Sequence, residues 1–277
     1  MMAHFSSLAK VSVWAVLAAS ALGCAGAGPA SNVGDGGALP NDAAAEDATD
    51  SPETDDSADA SGAPDAAVVC RPSSGVSASP SSIAEAVALM NDLLAQGRGE
   101  VTIACFVESL ARPLGVLAVN SVLSAQPADG PHNPRIFLFT GNLVLSIVPS
   151  GRAATLLELG EYVSPLRSIK AEIAFPRVAP MPPATVYNRI IGTYGTVCGA
   201  CHRDELPADG VDALGGFVSN VLRPRDGDEV PLSSVEAEAA ACNPDAEPSR
   251  CAILDAVLDH GPVERQTFSL DAPTIYD

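Results

Sequence analysis

The sequence predicts an α+β protein: a secretory leader and a disordered acidic tether, then a mainly antiparallel, sandwich-like β domain with one helix, then a small, mainly helical domain. Three observations carry this reading. Residues 25–69 hold 10 acidic and no basic residues, set among Ala, Gly, Ser and Pro. Residues 70–195 hold 8 acidic and 9 basic residues and read as short aliphatic or alternating runs parted by turn formers. Residues 196–277 hold 16 acidic against 5 basic residues and return to helical spacing. The boundaries that follow are a leader at 1–23, a tether at 24–69, the β domain at 70–182 and the helical domain at 183–277.

The leader comes first. Residues 1–10 are weakly basic, and 11–22 are apolar around Trp14, Val16 and Leu17. This is an n-region followed by an h-region, too short to span a bilayer stably. Ala21-Leu22-Gly23-Cys24 comes next and resembles the lipobox of bacterial lipoproteins, in which small residues precede a cysteine that receives diacylglycerol. The usual box has Leu three residues before the Cys, where this chain has Ala21. The resemblance implies lipidation of Cys24 and a membrane anchor, each buried methylene adding about 0.8 kcal/mol. Ala25 follows in place of an acidic retention residue, which by resemblance implies the outer membrane, facing the periplasm or the cell surface. A secretory signal cut near residues 25–27 is the competing reading.

The tether has no aromatic residue and almost no aliphatic stripe. It cannot bury enough apolar surface to offset its chain entropy, so disorder is expected. As a flexible chain it reaches roughly 35–40 Å. The net charge of −19 comes from this tether and the C-terminal part. No basic patch exists to neutralise phosphates, which excludes a nucleic-acid partner.

In the middle zone Ser82-Ile83-Ala84-Glu85 is a capping box, and Ile83, Val87, Met90 and Leu94 recur at helical spacing until Gly97. Strands are expected at 101–106, 115–123, 135–140, 143–148, 155–159 and 169–175. Gly141-Asn142 between two of them signals a tight hairpin. No nucleophile elbow, phosphate-binding glycine loop or paired catalytic carboxylates occur.

The chemically specific motif is Cys198-Gly199-Ala200-Cys201-His202. Two thiols one short turn apart can add across the vinyl groups of one porphyrin, and the adjacent imidazole then ligates its iron. Residues 196–277 resemble a small c-type cytochrome domain in this motif and in Tyr194, an aromatic four residues before the first Cys. The resemblance implies covalent haem c on Cys198 and Cys201, with His202 as proximal ligand. The family's usual downstream Met is missing, since no Met follows Met181. His260, at the end of an expected helix at 249–260, is the distal candidate. Met181, His132 or an open sixth position are the alternatives. Val211, Leu214, Phe217, Val218 and Val221 are expected to form one apolar face beside the group.

The remaining cysteines are Cys70, Cys105, Cys242 and Cys251, an even set in an oxidising compartment. The parsimonious pairing is Cys70–Cys105 and Cys242–Cys251, the latter tying helices expected at 234–242 and 249–260. Other readings of the motif are a thiol pair or a disulfide, or zinc held with His202 and His260. Asp226-Gly227-Asp228-Glu229 lacks the full calcium loop and reads as a solvated turn.

The expected function is therefore electron transfer by a lipid-anchored haem protein, a carrier rather than a catalyst, whose acidic surface favours a basic redox partner. The alternative is a non-haem lipoprotein, a binding or structural module with Cys198–Cys201 as a disulfide. Peroxidase-like chemistry ranks last, because no distal His or Arg has a recognisable spacing. The anchor is checked directly. Cys24→Ser is expected to move the protein into the soluble periplasmic fraction or to block its processing, and unchanged membrane partition would exclude the anchor.

Overall fold

The computed structural model describes residues 69–120, 124, 126–128 and 130–277. The leader, Cys24 and the tether up to residue 68 lie outside these residues. Among the described residues no helix is long and apolar enough to cross a membrane.

The first helix, α1 (Ile83–Ala95), starts where the capping box predicts. The Ser82 hydroxyl accepts from Glu85 N, and the Glu85 carboxylate accepts from Ser81 N at 2.7 Å, one residue earlier than in the standard box. Ile83 N donates to Glu161 Oε2 at 2.7 Å, which ties the helix N-terminus to the sheet. The strand expected at 101–106 is instead the helix α2 (Ile103–Glu108). Thr102 caps it by accepting from Cys105 N, and Val101 keeps a lone bridge to Arg177. The disulfide Cys70–Cys105 fastens this helix to the point where the described chain begins.

Five strands then form an antiparallel meander: β1 (Leu114–Val119), β2 (Arg135–Thr140), β3 (Leu143–Ile147), β4 (Leu156–Ser164) and β5 (Arg167–Ala174). Gly141, at φ +57°, makes the β2–β3 turn with Asn142, a left-handed position that suits glycine.

The rest of the chain departs from expectation. No small, mainly helical domain forms after residue 182, and the expected cytochrome-like fold is absent there. Between one-turn helices α3 (Thr185–Asn188) and α4 (Gly199–His202) lies a two-stranded hairpin, β6 (Ile191–Gly192) and β7 (Gly195–Thr196). The strands β8 (Leu206–Pro207) and β9 (Phe217–Asn220) then extend the sheet beyond β5. At the other edge β10 (Glu229–Val230) pairs antiparallel with one end of β1, and β11 (Val263–Arg265) pairs parallel with its other end. The result is one nine-stranded mixed sheet running across the expected boundary.

Local chemistry explains the difference. Gly215 sits at φ +84°, and a Cβ on Gly216 would lie 2.5 Å from the Val211 side chain. No continuous helix can carry the apolar residues 211–221. Residues Asp212–Leu214 make only a 3₁₀ turn, and Phe217 onward is a strand. The helices α5 (Leu232–Ala240) and α6 (Pro248–Leu258) do form near their expected places, joined by the disulfide Cys242–Cys251. They pack on the same core as α1 and α2.

That core lies on one face of the sheet. Ile136, Leu138, Leu145, Leu157, Ile169 and Ile173 point toward the helices and are almost wholly buried. Burial of each such side chain contributes about 1.5–3 kcal/mol. Because β9–β11, α5 and α6 complete this core, a chain ending at residue 182 is expected to show no cooperative thermal unfolding by circular dichroism. An independent β domain ending there would melt cooperatively.

Candidate functional site

The strands alternate, so the opposite face carries what the core excludes. Phe137, Ser146, Glu158 and Glu172 form one cross-strand row, with Arg135 next along β2 on the same face, and Phe139, Val144, Gly160 and Lys170 form the neighbouring row. Arg135 donates to Ser146 Oγ at 2.6 Å, to Ser124 and to Glu158. Glu172 accepts from Arg189 at 2.7 Å. Burial holds Glu158 above the ordinary carboxylate range even with Arg135 beside it.

Gly160 opens a space in this layer. Its neighbours in the row are Val144 and Lys170, and a Cβ placed on it would meet nothing closer than 3.9 Å. A cavity of about 110 Å³ results. Phe268, from the C-terminal tail, closes one end through edge contacts with Phe137 and Phe139, with ring centroids at 5.0 and 5.3 Å. The motif residues Cys198 and His202 line the same cavity.

The motif sits on α4, a single turn in which the Cys198 carbonyl accepts from Cys201 N and His202 N. Glu205 braces it, accepting from Thr196 N at 2.6 Å and from the Thr196 hydroxyl. Gly195 and Gly199 leave room for that carboxylate, since a Cβ on either would stand 2.1 or 2.8 Å from Glu205 Oε2. After His202 the chain reverses through Arg203 and Asp204, both in the left-handed region at φ 46° and 49°. Two consecutive non-glycine residues there are strained by roughly 1–3 kcal/mol each. The reversal is held by Arg167, which donates to the Asp204 carbonyl at 2.6 Å, and by Asn220, whose amide donates to the Asp204 carboxylate at 2.8 Å.

This reversal lays His202 against β9. Its Nδ1 lies 2.8 Å from the Asn220 carbonyl oxygen. A carbonyl only accepts, so Nδ1 carries the proton. Burial, reinforced by the Lys170 charge, pulls the imidazole down to about 3, so it is neutral and Nε2 keeps a lone pair. Burial also pushes the Cys198 thiol up to about 12, with Glu158 adding to the effect. Cys198 and Cys201 stand outside both disulfides.

The other candidate ligands lie elsewhere. His260 Nδ1 is 3.7 Å from Glu108 Oε1, at a groove beside Cys70 that shares no residue with the motif's cavity. Met181 is buried against α1, bonded through its backbone to Asn91. His132 is held between Glu238 at 2.9 Å and Glu247 at 3.6 Å. Tyr194 is at the β6–β7 turn and 97% exposed, not on a helix. Among the described residues no group of three or more His, Cys, Asp or Glu is placed to hold a metal ion.

No family model, curated protein or solved structure matches this chain. The site therefore has to be read from its own chemistry.

Sequence reasoning missed Lys170, which is 8% exposed. Its ammonium donates to Ser168 and, at 3.4 Å, to the Asn220 carbonyl, all neutral oxygens. Burial pulls it from 10.5 to about 8. The unfolded chain holds this proton to higher pH than the folded one, so stability rises as pH climbs from about 8 toward 10.5 and the full penalty stands below that window. Lys170→Met is expected to raise stability at pH 7 by roughly 3 kcal/mol. It should also abolish the rise between about pH 8 and 10, both read from urea unfolding.

Proposed function

We propose that this chain is an exported, lipid-anchored protein that carries haem c on Cys198, Cys201 and His202 and transfers electrons at the cell envelope. The observation that carries the reading is the His202–Asn220 hydrogen bond of 2.8 Å. A ligating histidine characteristically donates its other ring N–H to a carbonyl or carboxylate, which fixes the tautomer and aims the free nitrogen. Here that arrangement is built at the one histidine that follows two cysteines at attachment spacing.

Two further features support it. The other four cysteines of the described chain are consumed by disulfides, while Cys198 and Cys201 are left out of them. Side chains flanking the motif are apolar and exposed: Tyr194 at 97%, Val197 at 62% and Leu206 at 60%. Exposed apolar side chains beside the motif offer surface that a covering group could bury. The cavity itself, at about 110 Å³, is smaller than the ~300–1,000 Å³ of usual cofactor clefts. A planar apolar group would therefore gain more by covering these side chains than by entering the cavity.

Bound there, haem would supply one-electron chemistry. The chain's own part is to present Nε2 of His202, to hold the imidazole through Asn220, and to keep the α4 turn in place through Glu205. A raised thiol pKa makes Cys198 a poor thiolate, which weighs against thiol–disulfide exchange as the motif's role. The acidic surface of residues 196–277, with 16 acidic against 5 basic residues, favours a basic redox partner.

Expressed with c-type maturation machinery, the protein is expected to keep haem stain on a denaturing gel, and Cys198→Ala with Cys201→Ala to lose it. His260→Ala should leave the spectrum unchanged, because His260 lies by Glu108. A wild-type protein without a Soret band, made where other c-type cytochromes mature, would refute the assignment.

A further inference from the structure

The cavity under the motif holds a buried cation with no direct ion pair. Arg135 is matched by Glu158, and Arg189 by Glu172. Lys170 is not: among the described residues no carboxylate forms a salt bridge with it, and its hydrogen-bond acceptors are neutral. Glu205 and Glu158 act on it only from beyond ion-pair distance, and a buried ammonium that has lost its water and gained no direct ion pair is costly. Beside it, Ser219 faces Ser168 across β5 and β9, and its hydroxyl is fully buried without a partner. Lys170 lines the cavity together with the Arg135–Glu158 pair and Glu172, and Phe137, Val144, Phe268 and the ring of Tyr162 give it an apolar wall.

We propose that this cavity is a binding site for a small organic carboxylate with an apolar body about the size of a benzene ring, its carboxylate seated on Lys170. An anion supplies the direct ion pair that Lys170 lacks, and the apolar body fills the space that Gly160 leaves between Val144 and Lys170. The size follows from the volume. An apolar cavity of about 150 Å³ takes up benzene, and this one is of similar extent, about 110 Å³. Few polar groups converging in an apolar pocket are what orients a small ligand. The site does not depend on the haem reading, since Lys170 and Gly160 belong to the sheet.

The test is calorimetric titration of the full chain with sodium benzoate and with benzyl alcohol, its uncharged counterpart. Benzoate is expected to bind at least tenfold more tightly. Lys170→Met should cancel that preference while keeping benzyl alcohol binding. Gly160→Val puts methyl groups into the cavity from a position where a Cβ is in ordinary contact at 3.9 Å, so it should block both compounds without lowering the melting temperature. Equal affinity for the two probes, binding of neither, or benzoate binding that survives Gly160→Val would overturn the proposal. Titrations are run on protein made with and without c-type maturation. Benzoate binding lost once haem is attached would assign the cavity to the haem and overturn the proposal too. Absence of haem with benzoate binding intact would refute the haem assignment alone.

Discussion

Everything in this structure depends on the two-sidedness of β2 to β5. Side chains alternate between the faces, and the register holds up to a shift between Tyr162 and Ser164, so one face is a sheet of Ile, Leu and Val and the other carries Arg135, Glu158, Lys170 and Glu172 among Phe137, Phe139, Val144 and Tyr162. A slip of one residue would drive Arg135, Glu158 and Lys170 into the helical core and expose Ile136, Leu157 and Ile169. The apolar face recruits α1, α2, α5 and α6. The polar face cannot be covered by helices, and is instead covered by the motif segment and the C-terminal tail with Phe268.

That division assigns the C-terminal third its role. Its strands are two to four residues long, and none is stable by itself. They exist because β1 and β5 offer unpaired edges. The outer edge of β1 is shared between β10 and β11, and β9 with β8 covers β5. The same connections carry His202 and Asn220 to one place, 18 residues apart in sequence. The sheet edge, not a separate domain, is what builds the motif's surroundings.

How much of this could be read from the sequence follows from how local each cause is. The β2–β3 hairpin was legible because Gly141-Asn142 and the flanking runs are adjacent. The caps of α1, the two helices near the C-terminus and both disulfides were legible for similar reasons. The run 101–106 reads as a strand because Ile, Phe and Val suit either structure, and the Thr102 cap decides for a helix. The apolar residues 211–221 have helical spacing, yet Gly215 and Gly216 break it and the sheet edge captures Phe217. Of the candidate site, Cys198, Cys201 and His202 stood out by spacing. Lys170 and Gly160 did not, since nothing in residues 167–174 distinguishes a strand lysine that points to solvent from one that points into a cavity. His260 seemed a partner for His202 through helix periodicity alone, and distance in the fold separates them.

The features that run against stability gather at one end of the sheet. Lys170 is a buried cation where an apolar side chain of similar length would be more stable. Ser219 buries a hydroxyl with no partner. Arg203 and Asp204 hold strained backbone. Tyr194, Val197 and Leu206 leave apolar surface in water. Several locally unfavourable features meeting in one region point to a role there other than folding. The Asn220 carbonyl joins the two halves of that region, accepting from His202 Nδ1 and from Lys170 Nζ. A change of charge at Lys170 therefore acts on the same oxygen that orients His202. An anion in the cavity and a ligand on the imidazole would be felt by one another through a single atom, and by linkage each would alter the other's affinity equally.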